Sequence, residues 1–529
     1  MVTDIKSGNL PNFSDKLAND DGRIRLEPYE CIHEKLSKGF FQKYFKKDPT
    51  TVRQEQIKKR QEQTSPLQSS PRKTEIKYRK PMRIAFNFDN IYEDPHACYE
   101  YGQKIILIES DELHVPSSRC TYNKSCEYTC KTSDLITTEV QLFFTNYITP
   151  TLREIVASYI LVDPEEPNLI LDAGSYNKTN GTCLTHVIIP EYYITHGIDQ
   201  ADLVIFVTIR PPTEKNIVAH SVPCNFRDYG THYSRPLAAS INFNPSFFTQ
   251  FIYDPHDLTY EEYIKVSLHE LTHSLGFSSM FLSSFINEDG HPYDASIEVQ
   301  RSGVTPNGEP YNYYKRAINS PNVKKVIRNH FDCKSLEYAE LEDSGGYLDW
   351  ESHWEKRVVG EEFMVAWASP IMPVTRLTLA LLKDTGWYDI DLTKAEKWVF
   401  GKNLGCDMLK QCYNNTWNYQ GYFCSRGGQP GCTCTRMGKG VCRLAVLNNL
   451  EPQYQHFVNT SLGGTDGVFD FCPTYLTSYP ARGNSRYCID NSLYSNLDAQ
   501  YHELYSMNSR CFEFVSPNNS VGQACWEMK

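Results

Sequence analysis

The residues best placed to do chemistry lie in the stretch SLHELTHSLGF, residues 267–277. His269 and His273 are four residues apart, so on a helix both imidazoles face the same side and can hold one Zn²⁺. Glu270, between them, would then stand beside the water that attacks a substrate. The alternative interpretation is a helix that carries two histidines without any metal.

The surrounding pattern predicts the helix that these residues require. Apolar residues recur at helical spacing across residues 260–277 and form one stripe: Ile264, Leu268, Leu271 and Leu275. Gly276 follows at the point where the chain should leave the helix. Both features favour the zinc interpretation.

A catalytic zinc site needs three protein ligands, and the sequence leaves the third one open. The compact motif H-E-x-x-H-x-x-G-x-x-H places a histidine at position 279, where this chain has Ser279. The downstream histidines are His291, His330, His353, His456 and His502, and glutamates such as Glu288 and Glu298 could serve instead. Met364 follows His353 by eleven residues, and a methionine turn beneath the zinc is typical of metzincins. Residue types and spacing alone do not select among these candidates.

Other segments predict the elements that must position this site. Apolar runs indicate strands at 81–92, 202–210 and 238–245, and helical periodicity indicates helices at 138–161 and 374–387. Strands followed by a long histidine-bearing helix are typical of an α+β protein. We expect an extended substrate peptide to lie along the strand AASINF, residues 238–243, as the edge of the sheet.

Composition bounds the class of protein. A chain of 529 residues should form two or three domains, and its net charge of −11 argues against nucleic acid as a partner. Basic residues are concentrated at 43–83, with thirteen Lys and Arg against four Asp and Glu, in a polar stretch that is typical of a linker. The oligomeric state cannot be inferred from the sequence.

The cysteines indicate an oxidising compartment. The chain has 18 of them, and four lie within residues 424–442 at spacings that match no common zinc module, so disulfides are expected. Seven N-x-[ST] sequons fit a secreted or cell-surface glycoprotein. The N-terminus has no signal-peptide pattern, and neither a membrane span nor an anchor tail is visible. We therefore expect the sequence to be incomplete, with any membrane attachment made through a segment absent from it.

Several motifs together resemble the leishmanolysin family of surface zinc metalloproteases, including the invadolysins of animals. The matching pieces, in the order of that family, are RIAFNF, VSLHELTHSLGFS, ESHWEKR, GEEFM, LTLALLKDTGWY and FDFCPTYLTSY, and the resemblance spans residues 30–525. It implies a metzincin-type catalytic domain with a twisted sheet and an active-site helix, an insertion, and a Cys-rich C-terminal module.

The resemblance also implies roles for particular residues. His353 becomes the third zinc ligand, displaced past an insertion, and Met364 the residue of the methionine turn, with Met372 as its competitor. Cys31, in YECIHEK, would be a propeptide switch whose thiolate occupies the open zinc position; the alternative is that Cys31 forms a disulfide. Disulfides are implied between Cys183 and Cys224 and between Cys333 and Cys406.

The organisation that follows has four parts. Residues 1–80 form a propeptide with the switch and the basic linker, and residues 81–277 form an N-terminal catalytic subdomain that ends in the zinc helix. Residues 278–400 hold the insertion, the third ligand and the methionine turn. Residues 401–529 form the Cys-rich C-terminal domain.

The function that we expect is a zinc-dependent endopeptidase, made as a zymogen, with one Zn²⁺ per chain and with extracellular or surface proteins or peptides as substrates. Glu270 would be the general base. The alternative from another class is a non-catalytic cell-surface adhesion glycoprotein that retains a structural zinc.

Overall fold

The structure is a computed structural model that describes the following residues: 33, 79–108, 126–184, 186–213, 217–253, 257–343, 352–369, 371–410, 412, 421–448, 450–477, 487–490, 502–516 and 521–527. Cys31 and nearly all of the predicted propeptide therefore lie outside the described residues. His33 is the described exception, together with the end of the linker at Arg79 and Lys80.

Strands occur throughout the described chain. In the first half they are β1 (Lys80–Pro81), β2 (Ile84–Asn87), β3 (Lys104–Leu107), β4 (Cys126–Thr129), β5 (Ile160–Val162), β6 (Asn168–Leu169), β7 (Thr182–Leu184), β8 (Val187–Ile188), β9 (Ile198–Asp199), β10 (Leu203–Thr208), β11 (Ala219–Asn225) and β12 (Ala238–Phe243). In the second half they are β13 (Phe285–Ile286), β14 (Pro292–Tyr293), β15 (Ser296–Val304), β16 (Pro310–Ile318), β17 (Ala339–Glu340), β18 (Tyr388–Ile390), β19 (Pro430–Cys432), β20 (Lys439–Cys442), β21 (Leu444–Val446), β22 (Leu462–Gly464), β23 (Tyr475–Leu476), β24 (Ser509–Val515) and β25 (Val521–Glu527).

The α-helices are α1 (Asp89–Tyr92), α2 (Thr138–Phe143), α3 (Thr149–Tyr159), α4 (Ala173–Lys178), α5 (Tyr192–Thr195), α6 (Pro245–Tyr253), α7 (Asp257–Ser274), α8 (Pro321–Phe331), α9 (Lys356–Val359) and α10 (Arg376–Asp384). Short 3₁₀ segments lie at Thr132–Asp134, Ser279–Ser284, Leu392–Lys394, Cys406–Lys410, Pro452–Tyr454 and Gly467–Phe469. Within the described ranges, no helix is both long and apolar enough to cross a membrane.

A four-stranded sheet supports the predicted metal helix, with the strand order β11-β12-β10-β2. Strands β12, β10 and β2 run parallel, and β11 pairs with β12 in the antiparallel direction. The expectation that residues 238–243 form the edge is wrong, because β12 lies between β10 and β11. Its alternation of apolar and polar residues suggested a half-exposed strand, but both of its polar side chains, Ser240 and Asn242, are buried. The Asn242 side chain, for example, accepts from the hydroxyl of Thr208 and the amide of Arg210.

Both faces of this sheet are covered, which explains the continuous apolar run of β10. Leu203, Ile205 and Val207 point into the core that contains the apolar side of α7. Val204 and Phe206 point into a second core on the opposite face. Successive side chains of a strand alternate between faces, so one short segment contributes to two cores.

Helix α7 carries the His-Glu-x-x-His motif and ends as its glycine predicts. The amide of Phe277 donates to the carbonyl of Thr272, and the amide of Gly276 donates to the carbonyl of His273. Gly276 has φ +119°, and a Cβ atom there would lie 2.7 Å from the ring of Trp387. A backbone that must turn in the left-handed region against an aromatic ring requires glycine.

The two other predicted helices are shorter than their patterns indicated. The pattern at 138–161 gives α2 and α3, which are separated by a π-helical segment at Phe144–Ile148, and the chain then enters β5. The pattern at 374–387 gives α10, which begins at the N-cap Thr375. Gly386 then turns the chain with φ +73°.

Seven disulfides join described cysteines, and they include both pairs that the resemblance implies. They are Cys98–Cys130, Cys183–Cys224, Cys333–Cys406, Cys412–Cys472, Cys424–Cys442, Cys432–Cys511 and Cys488–Cys525. Cys126 is disulfide-bonded as well, whereas Cys434 is a free thiol. Because Cys434 is free, not every cysteine of this chain is paired, and the number of cysteines does not require a disulfide partner for Cys31.

Candidate metal centre

Three histidines meet near the C-terminal end of α7. The Nε2 atom of His269 lies 3.1 Å from that of His273 and 3.2 Å from that of His353. All three side chains are buried, and their nitrogens form a cluster that could hold a metal ion. The first two come from one face of the helix, and the third comes from a loop eighty residues further on (353 − 273).

Backbone carbonyls fix which nitrogen of each helical histidine points inward. Nδ1 of His269 lies 2.6 Å from the carbonyl oxygen of Phe363, and Nδ1 of His273 lies 2.8 Å from that of Phe277. A carbonyl oxygen can only accept, so each Nδ1 carries the proton and each Nε2 presents its lone pair. This arrangement is the usual way in which proteins orient histidine ligands.

Burial keeps these imidazoles neutral. It lowers the pKa of His269 to about 4 and the pKa of His273 well below its usual value. Neutral rings with inward lone pairs repel one another unless a cation lies between them. Nitrogens about 2.0–2.1 Å from a tetrahedral Zn²⁺ are roughly 3.3 Å apart, close to the separations found here. The donor set and its spacing therefore fit zinc.

Glu270 lies on the same turn of α7 as the two helical histidines, and its side chain is buried. Residues three apart on a helix are neighbours, so the carboxylate belongs to the surroundings of His273. A buried carboxylate next to a cluster of three histidines can receive and release a proton close to a reacting atom.

The loop that carries His353 is held by buried ion pairs, which sequence reasoning missed. The three residues Glu355, Lys356 and Arg357 are all buried, although all three are charged. Glu355 pairs with Lys315 of β16. Nε of Arg357 donates to Asp470 at 3.0 Å, and Nζ of Lys356 to Asp466 at 2.7 Å.

These contacts join two of the motifs that carried the resemblance. Asp470 belongs to the segment FDFCPTYLTSY, and Arg357 belongs to ESHWEKR. Lys315 also lies 3.4 Å from Asp470, so the insertion and the C-terminal region meet behind the third histidine. The signal available in the sequence was the charged run Glu355-Lys356-Arg357, which begins two residues after His353.

Met364 lies in a segment that contacts His269 directly and also contacts Trp354, the residue that follows His353. Its carbonyl accepts from the amide of Trp354, the residue after His353, at 3.0 Å. The preceding carbonyl, that of Phe363, is the partner of His269. The competitor Met372 is also buried.

His33, from the N-terminal region, covers the cluster. Its ring stacks on that of His273 with centroids 4.0 Å apart and 2° between the planes. Its Nδ1 donates to the carbonyl oxygen of Ser221 on the edge strand β11 at 2.5 Å. The side chain is fully buried, and burial lowers its pKa to about 3. A residue two positions after Cys31 thus occupies the space beside the candidate ligands.

The other candidates for the third ligand lie elsewhere. His330 stacks on Trp398 with centroids 3.4 Å apart, and its Nε2 donates to the carbonyl of Phe400. His291, His502, Glu288 and Glu298 are exposed, and Nε2 of His456 donates to the carbonyl of Asp470. Among the described residues, His353 is therefore the member of this set that joins the two helical histidines.

A His-Glu-x-x-His helix whose histidines meet a third one from a distant loop is the arrangement of a zinc metallopeptidase. The model of the leishmanolysin family matches residues 29–527 of the chain, and the protein therefore belongs to this family of zinc metalloproteases. The resemblance inferred from the motifs is confirmed.

Individual relatives are distant. A leishmanolysin homologue of Crithidia fasciculata is 26% identical over 437 residues, covering 80% of this chain and 61% of that protein. Leishmanolysin of Leishmania major is 26% identical over 401 residues, covering 75% and 58%. A leishmanolysin-like peptidase of Caenorhabditis briggsae is 27% identical over 380 residues, covering 61% and 55%. The chain thus spans about three fifths of the length of these curated relatives.

Proposed function

We propose that this chain is a zinc-dependent endopeptidase in which His269, His273 and His353 hold one Zn²⁺. The observation that carries the proposal is the meeting of the three Nε2 atoms, with separations of 3.1 and 3.2 Å, beside a buried glutamate. Glu270 is the general base, and Met364 is the residue of the methionine turn. A structural zinc site, by contrast, is closed by four protein ligands.

The chemistry divides between the metal and the chain. When bound, Zn²⁺ supplies a Lewis acid that makes water a nucleophile near neutral pH and polarises the scissile carbonyl. Glu270 accepts the proton of the attacking water on its carboxylate and then passes it to the leaving amine. The carbonyls of Phe363 and Phe277 keep the ligand nitrogens oriented throughout.

A substrate peptide would add to the sheet at β11. This strand forms the edge of the four-stranded sheet. It lies next to α7, because the hydroxyl of Ser221 is 2.5 Å from the hydroxyl of Ser274. An extended peptide gains affinity there from main-chain hydrogen bonds. The carbonyl of Ser221 accepts from His33, so the N-terminal region and a substrate would compete for the same strand.

The same contact supports a zymogen. His33 covers the face of His273, and Cys31, outside the described residues, is the predicted thiolate of the propeptide switch. Cleavage between Lys58 and Lys80, in the basic linker, would release the segment. We further propose that the enzyme is secreted or lies at the cell surface, because its disulfides persist only in oxidising compartments.

The test uses the full chain purified with its linker cleaved, together with the His353→Ala variant. The proposal predicts one zinc per chain and hydrolysis of unstructured protein that stops when a chelator removes the metal. His353→Ala should lose both properties, whereas the matched variant His330→Ala should keep them. A wild-type chain that retains zinc without any hydrolysis would support the adhesion glycoprotein with a structural zinc instead.

A further inference from the structure

A buried carboxylate lies beside the metal centre without belonging to the ligand set. The Oε2 atom of Glu362 accepts from the amide of Met364 at 2.6 Å. Its Oε1 atom accepts from the hydroxyls of Thr378, at 2.7 Å, and Thr375, at 3.1 Å. The side chain is fully buried, so the backbone around Met364 is bonded to the first turn of α10 through a single carboxylate.

The contacts continue from this carboxylate to the third histidine. The Thr378 hydroxyl, having donated to Glu362, accepts from Nε1 of Trp354 at 2.8 Å. Trp354 is the residue after His353, and its amide donates to the carbonyl of Met364 at 3.0 Å. The loop that carries His353 is therefore fastened at two points of Trp354, its indole and its backbone, and both lead back to Glu362.

A second path runs from the same turn to the helix. The carbonyl of Phe363, between Glu362 and Met364, is the acceptor for Nδ1 of His269. A histidine ligand is oriented by the group that binds its other nitrogen, so the position of this carbonyl fixes the ring of His269. One short segment thus orients ligands from two separate parts of the chain.

We propose that Glu362 is a positioning residue of the metal centre, which holds the turn at Phe363 and Met364 so that His269 and His353 keep their relative placement. The inference rests on the proposed zinc site. Glu362 does not touch substrate or metal in this account; it acts through Trp354, Phe363 and Met364.

The choice of residue supports this role over simple packing. Burial raises the pKa of Glu362 to about 7 even though the hydrogen bonds that it accepts lower the pKa, so a carboxylate is costly here. An apolar side chain would avoid that cost but leave two hydroxyls and one amide without their acceptor. Carboxylate oxygens accept several donors at once, and two of the donors here, the amide of Met364 and the hydroxyl of Thr378, belong to the contacts that lead to His269 and His353.

The neighbouring Glu361 provides a matched control. Its carboxylate accepts from the hydroxyl of Thr435, in the C-terminal region, at 3.1 Å. It is also acidic and also sits beside the turn, yet its described hydrogen bond leads to the C-terminal region and not to a histidine. Glu361→Gln therefore tests for a general effect of charge removal near the site.

The experiment measures the rate at which zinc passes from the full chain to a chromogenic chelator, with kcat and KM for a peptide as a second readout. Outer-shell changes of this kind typically weaken a metal site by about 10–100-fold. Glu362→Gln should accelerate zinc loss by roughly tenfold or more and lower kcat more than it raises KM. Glu361→Gln should match the wild type.

If Glu362→Gln does not fold, a second pair of variants tests the hydrogen bonds that link Trp354 to Glu362 through Thr378. Thr378→Val removes the hydroxyl between Trp354 and Glu362 and should speed zinc loss, whereas Thr378→Ser keeps the hydroxyl and should restore the wild-type rate. Wild-type rates of zinc loss in folded Glu362→Gln, or in Thr378→Val, would overturn the inference. A wild-type chain that binds no zinc at all would instead contradict the proposed function.

Discussion

The imidazole of His33 lies flat on that of His273, with the two ring centroids 4.0 Å apart. This contact places the N-terminal region over a candidate ligand, and the bond from Nδ1 of His33 to Ser221 places it on the sheet edge as well. One side chain thus contacts both a candidate metal ligand and the edge strand β11. In the proposed zymogen, latency would therefore not depend on Cys31 alone.

Replacing His33 by alanine should therefore make the metal centre of the unprocessed chain more accessible. His33→Ala removes both the stacking and the bond to β11, so a zinc-directed hydroxamate should bind the precursor severalfold faster. Stopped-flow fluorescence with a labelled hydroxamate measures this rate. His291→Ala, at an exposed turn, is the matched control. Equal binding rates for the two variants would mean that His33 does not limit access to the metal centre.

The end of helix α7 gives a second prediction. Gly276→Ala imposes a side chain at φ +119° and drives its Cβ against Trp387, where overpacking typically costs about 1–3 kcal/mol. Gly308 also has a positive φ, +87°, but nothing lies within 4 Å of the added atom. Gly308→Ala therefore reports the backbone strain alone.

The comparison of the two melting temperatures isolates the clash. Gly276→Ala should lower the melting temperature clearly more than Gly308→Ala does. Similar shifts for the two variants would mean that the turn against Trp387 is not tightly packed, and the described end of the zinc helix would then be wrong.

Burial of Glu262 on α7 predicts how stability depends on pH. Burial raises its pKa from 4.5 in the unfolded chain to about 8 in the folded one. Between these two pH values the folded chain retains a proton that the unfolded chain has lost. The contribution of Glu262 to the free energy of unfolding is therefore fully present below about pH 4.5 and falls as the pH rises toward 8. Between pH 5.5 and 8.5 the loss should be on the order of 3 kcal/mol.

Glu262→Gln should abolish this contribution. Urea unfolding at the two pH values should show the variant gaining stability relative to the wild type as pH rises, while the exposed Glu288→Gln follows the wild type. A constant difference between Glu262→Gln and the wild type across this window would contradict the raised pKa.

The sequence predicts the local parts of the site well, because they depend on short-range patterns. The spacing of His269 and His273, the apolar stripe and Gly276 together predict a helix that ends where α7 turns away. The run Leu203–Thr208 likewise gives a buried strand. These features need only neighbouring residues and the periods of helix and strand.

The non-local parts could not be derived in that way. His353 reaches the helix because Glu355, Lys356 and Arg357 bind partners in distant segments, and pairwise contacts between such segments leave no periodic signal. Only the resemblance to leishmanolysins selected it. The same limit explains the error at β12, where the alternating pattern indicated an edge although Ser240 and Asn242 are both buried and hydrogen bonds hold Asn242 inside the sheet.

The measurement that tests the central proposal most directly is peptide hydrolysis by Glu270→Gln with its zinc content measured on the same sample. Glutamine keeps the size of the side chain but cannot take a proton from water. Loss of a general base typically lowers the rate by about 10²–10⁴-fold, so we predict such a loss with one zinc per chain retained. Unchanged hydrolysis by this zinc-loaded variant would contradict the proposed mechanism.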